Sequence, residues 1–273
     1  MTLRVVARTG FATDIGMRAL NEDSALAGRS VFVVADGMGG HLAGEIASRT
    51  VVDVFSRLDG KEFVSAYELE GAIAQAARRV AGLASEKSLP GTTVTGLVFA
   101  DEGGYPCARV FNIGDSRTYH VSGRAFTQVT RDHSEVQELL DAGIITEEQS
   151  LTWERRNVIT RALGGYSGPV VGADVHLVPL NAGDRFLLCS DGLSGVVSDT
   201  EIGEVARYME DSNETAQTLV QKALGAGGSD NVTVLVVDIV DCSPRWPALE
   251  VEGETATCDR RNVGDDTVPR KGD

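Results

Sequence analysis

Four acidic positions in this chain share one construction. Val31-Phe32-Val33-Val34-Ala35 is a run of β-formers that delivers Asp36, and Gly37-Met38-Gly39-Gly40-His41 follows. Phe186-Leu187-Leu188-Cys189-Ser190 delivers Asp191-Gly192, and Val110-Phe111-Asn112-Ile113-Gly114 delivers Asp115. In reverse order, Asp230-Asn231 opens the run Val232 to Val237. Taken singly, each Asp-Gly reads as a turn after a strand. Repetition changes the reading, because an unpaired carboxylate at the end of a buried strand costs several kcal/mol. If the four ends converge, hard cations such as Mg²⁺, Mn²⁺ or Ca²⁺ neutralise them, since these ions take oxygen ligands. No Cys or His stands at zinc-ligand spacing. Glycines after Asp36 leave the backbone free to approach the charge closely.

The elements that must position these residues follow from the pattern. Leu3 to Arg8 alternates as a first strand, and the polar stretch from Thr13 to Asp23 leads to the strand Val31–Ala35, read as ending at Asp36. Helical spacing predicts helices from Ala43 to Leu58 and from Val64 to Lys87, stopped before Pro90-Gly91. Strands are expected over Thr92–Ala100, Cys107–Ile113 and Arg117–Val121, then over Ala173–Leu180, Arg185–Ser190 and Val232–Val240. Between them, about 132–161 has a different texture. Ser134 with Gln137, and Thr146 with Gln149, fit helix caps, so short helices interrupt the β-rich pattern as an inserted flap. Ser198 with Glu201 fits another cap, and a helix from Glu214 to Leu224 ends at Gly225. Strands come in runs instead of alternating with helices, which favours an α+β fold of antiparallel sheets with helices outside.

A length of 273 residues allows one large domain, and no internal repeat divides it. The reading is a domain over 1–240 and a polar, aperiodic tail over 241–273, expected to be disordered. That tail holds eight acids and five bases, so most of the net charge of -15 belongs to the domain. Such a surface repels a phosphate backbone, so nucleic acid is excluded as a partner, and an anionic substrate needs local help from cations. Four cysteines without a C-x-x-C pair predict no disulfide framework and a reducing compartment. No apolar run reaches the ~20 residues of a membrane helix, and no leader pattern opens the chain. The expectation is a cytoplasmic protein with no membrane partner.

In order along the chain come Thr13-Asp14-Ile15-Gly16 with Arg18, Asn21-Glu22-Asp23, Asp36-Gly37-Met38-Gly39-Gly40-His41 with Gly44-Glu45, and Gly91-Thr92-Thr93. Asn112-Ile113-Gly114-Asp115-Ser116-Arg117, Asp132-His133-Ser134, Ile159-Thr160-Arg161-Ala162-Leu163-Gly164, Ser190-Asp191-Gly192-Leu193 and Asp230-Asn231-Val232-Thr233 complete the set. This ordered set resembles the metal-dependent serine/threonine protein phosphatases of the type 2C, or PPM, family, particularly its bacterial members. It covers about 5–240. The resemblance implies a four-layer α-β-β-α sandwich, two antiparallel sheets flanked by helix pairs, with a metal site at one edge.

By the same resemblance Asp36 bridges two Mn²⁺ or Mg²⁺ ions. The Gly37 carbonyl and Glu22 (partly through water) serve one ion, and Asp191 and Asp230 serve the other. Bacterial members often hold a third, weaker ion, for which Asp115 with Asp191 is the matching pair. Asp23 orients bound water from outside the ligand set. Arg18 offers a planar fork suited to a phosphoryl group. The implied reaction is attack of a metal-bridging hydroxide on phosphoserine or phosphothreonine, opposing a Ser/Thr protein kinase, by a monomer. Where many members carry a histidine after the Asp-Gly pair this chain has Met38, so His41 or a metal-bound water takes the role of general acid. His133 reads as structural, beside the Ser134 cap. Two rival readings stand beside this one: a catalytically inactive PPM-fold binding module, and a phosphatase of small phosphoesters.

Overall fold

Apolar runs such as Val31–Ala35 need cover on both faces. The computed structural model, which describes residues 3–39, 42–86, 88–150, 152–165 and 172–246, supplies that cover by stacking two sheets between helical layers. Strands β1 (Arg4–Asp14), β2 (Asp23–Ala27) and β3 (Val31–Met38) lead into helices α1 (Leu42–Phe55) and α2 (Ala66–Ala81). Then come β4 (Gly91–Thr92), β5 (Val94–Glu102), β6 (Tyr105–Ile113), β7 (Arg117–Ser122) and β8 (Ala125–Gln128). The flap carries α3 (Glu135–Asp141) and α4 (Glu147–Ser150) and returns through β9 (Leu163–Gly164). Next are β10 (Asp174–Pro179), β11 (Arg185–Cys189), α5 (Asp191–Ser194), α6 (Asp199–Tyr208), α7 (Ser212–Gly225) and β12 (Val232–Ser243).

All described pairings are antiparallel, in the orders β1-β12-β11-β7-β8 and β10-β6-β5-β3-β4-β9, with β2 also on β3. Alternation along each strand sorts side chains into three apolar layers. Val31, Val33 and Ala35 of β3 face α1 and α2 with Val51, Phe55 and Leu69, whereas Phe32 and Val34 face the other sheet with Phe186, Leu188 and Leu235. On β12, Val232, Val234 and Val236 meet Leu219 and Ala223 of α7, while Val237 and Ile239 point between the sheets. A bulge opposite Val6 and Ala7 then shifts the alternation, so that Cys242 also enters the inter-sheet layer. The four-layer sandwich expected from the sequence is the fold, and α3 and α4 bury no side chain, as suits a flap.

Several boundaries differ from expectation. β3 does not stop at Asp36: it runs on to Met38, because Gly37 and Met38 pair with Thr92 and Gly91. β2 and β8 are additional strands; Asp23–Ala27 has little β propensity, and pairing with β3 decides its state. α2 begins at Ala66 because Ser65 and Glu68 form a reciprocal capping box, and it closes at Gly82, short of the expected end; Lys87 itself lies outside the described residues. β12 continues through Ser243, beyond the boundary drawn at 240, and the Trp246 ring packs at a tilt against Tyr105. The remainder of the tail, 247–273, lies outside the described residues. Cys107, Cys189 and Cys242 are free.

At the end of the β11–β12 pair away from Asp191 and Asp230, Arg185 and Asp238 stand directly opposite each other. Arg185 Nε donates to Asp238 Oδ1 at 2.5 Å, Nη2 donates to Oδ2 at 3.0 Å, and the guanidinium also caps the carbonyls of Ala206 and Glu210. Both groups are buried, so the pair is sensitive to loss of either partner. Asp238→Ala should cost about 3–5 kcal/mol in urea denaturation, because it strands a buried cation. A loss below about 1 kcal/mol, the value of a surface pair, would contradict that role.

Candidate active site

The acidic edge is assembled by the ends of strands from both sheets. Asp36 sits in β3 with its amide donating to Thr93 Oγ1 (3.1 Å) and its carbonyl accepting from the Thr93 amide (2.9 Å) and from Thr92 Oγ1 (2.9 Å). Thr93 Oγ1 in turn lies 2.7 Å from Ser116 Oγ, which ties the Asp36 segment to the turn bearing Asp115. Across the strand pair, Asp23 stands opposite Asp36. Its Oδ2 accepts from Ser190 Oγ at 2.8 Å, and the same oxygen of Ser190 accepts from the Thr233 amide at 3.0 Å. Asp191 follows Ser190 directly and opens α5. Asp230 precedes β12 and binds Arg18 Nη2 through its Oδ2 at 2.6 Å.

Glu22 reaches the same edge because two glycines let α1 close on β3. A Cβ on Gly37 would lie 2.3 Å from the Gly44 carbonyl oxygen, and one on Gly44 would lie 2.7 Å from Glu22 Oε1. Asn231 fixes the approach of this loop. Its Oδ1 accepts from the Glu22 amide (2.8 Å), and its Nδ2 donates to the Ile15 and Leu20 carbonyls (2.9 Å each). Glu22, Asp36, Gly37, Asp115, Asp191 and Asp230 therefore lie together. Arg18 joins them, but its Nη2 is held by Asp230 and its Nε donates to the Ser229 carbonyl. His41 lies outside the described residues.

The sequence assigns no site-building role to Asn231, Ser190 or Thr93, although all three stand inside the ordered motifs. The signal available for Asn231 was its adjacency to Asp230: an amide has both a donor and an acceptor to bridge two loops.

The electrostatics are those of crowded like charges. Burial pushes the Asp36 carboxyl well above its ordinary value, and the charges of Asp23, Asp191 and Asp115 add to that. Burial, then Asp191 and Asp132, do the same to Asp115; burial and then Asp230 raise Asp191. Asp23 is pushed up to about 7, by burial first, despite its hydrogen bonds from Thr233 and Ser190. Burial also raises Glu22.

Glu22 Oε1, Asp23 Oδ1, Asp115 Oδ1 and Asp191 Oδ1 are buried with no hydrogen-bond partner. Buried oxygens of this kind are rare and need a counterpart. Among the described residues no three His, Cys, Asp or Glu side chains already close round one point as a ligand set. The acids are gathered at one edge, where the carboxyls of Asp36 and Asp191 lie within hydrogen-bonding reach of each other. All the candidate ligand atoms are oxygen, so the donor set fits hard divalent cations. A cleft of about 150 Å³ connects Asp115 and Asp191 to Arg156 and Asn157 of the flap.

This sandwich with its acidic edge matches the Protein phosphatase 2C family over residues 11–232. The chain belongs to that family. It is 40% identical over 249 residues to the serine/threonine protein phosphatase PstP of Mycobacterium tuberculosis, covering 88% of this chain and 46% of that protein. It therefore spans about half the length of that relative. Against the serine/threonine phosphatase stp of Listeria monocytogenes it is 35% identical over 243 residues, covering 84% of this chain and 94% of the relative. The solved catalytic domain of PstP in complex with two manganese ions is similar with a TM-score of 0.78 and 38% identity, over 87% of this chain and all of that one.

Carboxyls raised on folding keep protons that the unfolded chain has released, so they favour the folded state less as pH rises. For Asp23 the window runs from 3.8 to about 7. Metal-free protein should accordingly melt lower at about pH 7.5 than at about pH 5.5, Mn²⁺ should raise Tm most at the higher pH, and Asp36→Asn should flatten the slope. A metal-free Tm that climbs over this range would contradict the crowding.

Proposed function

We propose that the protein hydrolyses phosphoserine and phosphothreonine in protein substrates, opposes a Ser/Thr protein kinase, and works as a cytoplasmic monomer. Among the described residues no helix is long and apolar enough to cross a membrane. The observation that carries the activity is the set of partnerless carboxylate oxygens at one edge of a phosphatase 2C fold. In this reading Asp36 lies between two Mn²⁺ or Mg²⁺ sites, with Glu22 and the Gly37 carbonyl on one side and Asp191 and Asp230 on the other. Asp115 with Asp191 forms a third, weaker site. When bound, such ions lower the pKa of water and neutralise the phosphoryl oxygens.

The chain's own side chains supply the rest. Asp23, held by Ser190, keeps a second oxygen free to accept from water beside Asp36. Arg18 is half-exposed at the rim, and its guanidinium can turn from Asp230 to a phosphoryl group as that charge is taken up elsewhere. In this reading His41 or a metal-bound water would protonate the leaving serine or threonine oxygen. The cleft toward Arg156 and Asn157 gives the substrate chain a path along the flap.

Turnover of a phosphothreonine peptide should require Mn²⁺ and vanish in EDTA. Asp36→Asn should lower kcat by at least about 10²–10³-fold, the scale of removing a principal charge-stabilising group, with the circular dichroism spectrum unchanged. Metal-independent turnover, or a near-normal kcat in that variant, would refute the assignment.

A further inference from the structure

One buried polar side chain grips the segment carrying Asp115 and has no part in the chemistry assigned above. His133 is 6% exposed. Its ring Nδ1 accepts from the Gly114 amide at 3.1 Å, while its own amide donates to the Gly114 carbonyl at 2.9 Å. Gly114 has φ +110°, and a Cβ there would lie 2.5 Å from Thr93 Cγ2, so this turn exists only with glycine and only when held. With Nδ1 accepting, the ring proton sits on Nε2 and points at Asp174 Oδ2, 3.1 Å away. Arg161 Nη1 donates to the other oxygen of Asp174 at 3.1 Å, and the Thr160 amide donates to the His133 carbonyl at 2.8 Å. The histidine thus joins the Asp115 turn, both roots of the flap and the start of β10.

The neighbouring residue completes the grip. Asp132 takes Arg117 by Nε (2.9 and 3.0 Å) and Nη2 (2.7 Å). Consecutive residues of the flap root therefore hold Gly114 on one side of Asp115 and Arg117 on the other. Asp115 Oδ1 has no partner of its own, so the aim of this carboxylate comes from its backbone. A histidine that merely filled space would need neither ring hydrogen bond.

The geometry points to His133 as a positioning residue: its ring fixes the Gly114 peptide, aims Asp115 into the cation site, and transmits the seating of the flap to it. This inference rests on the phosphatase reading. Mn²⁺ titration by calorimetry and phosphothreonine-peptide turnover test it together. His133→Gln, which leaves no acceptor at the Nδ1 position, should weaken the weakest Mn²⁺ step by about 10–100-fold and lower kcat with it, as loss of a ligand's support does. His133→Asn, whose amide oxygen overlays Nδ1, should retain most of both. In an Asp115→Asn background, His133→Gln should cost nothing further. Equal losses in both backgrounds, or unaltered Mn²⁺ steps in folded His133→Gln, overturn the inference. If that variant does not fold, Asp174→Ala releases the ring from outside: a weakened Mn²⁺ step supports the role and an unaltered one overturns it. Wild-type protein without Mn²⁺-dependent turnover refutes the phosphatase reading instead, and the titration then decides the His133 role alone.

Discussion

Carboxylates held close together with too little positive charge nearby are the constraint on which this structure turns. Burial and the charges of neighbouring acids push the carboxyls of Asp36, Asp115, Asp191 and Asp23 upward, and Arg18 is bonded to the group through Asp230. Repulsion of this kind opposes folding. It persists because the rest of the domain holds the backbone beneath each acid. The Thr93 hydroxyl and amide fix Asp36, Ser190 fixes Asp23, and Asn231 fixes the Glu22 loop. Each uses a neutral hydrogen bond, which sets position without supplying the missing charge. The site is rigid in its frame and unsatisfied in its electrostatics, which is what a cation-binding centre needs before the cation arrives.

The sandwich makes that frame possible. Strands buried on both faces cannot slide, because a one-residue slip would send a whole apolar set into the wrong layer. β3 is locked between the α1–α2 layer and the inter-sheet layer, and β12 between α7 and the same inter-sheet layer. With register fixed in both sheets, Asp36 and Asp23 from one and Asp191 and Asp230 from the other are delivered to a common edge. Arg185 and Asp238 pin the opposite end of the β11–β12 pair, where a buried charge does have its partner. The two ends of one strand pair thus illustrate opposite solutions to burying a carboxylate.

Much of this was legible in the sequence because it rests on periodicity. Apolar runs of the right length marked the central strands, and the Ser198–Glu201 cap announced α6 as a local signal does. Reciprocal bonds between Thr146 and Gln149 likewise mark the start of α4. What could not be read depends on contacts between distant segments. β2 is a strand through its pairing with β3, and β3 reaches Met38 through β4, a strand more than fifty residues away in sequence. The acids themselves were visible, but the residues that hold them were not. Asn231 bridges to residues some two hundred positions earlier, and His133 reads as an ordinary helix-start residue until Gly114 is seen against its ring.

Crystals grown with Mn²⁺ and measured at its absorption edge give the most direct test of the central claim. Two anomalous peaks about 4 Å apart, with Asp36 between them and Asp191 and Asp230 beside one, are the predicted result. Manganese seated away from Asp36, with those carboxylates still partnerless, would contradict the account.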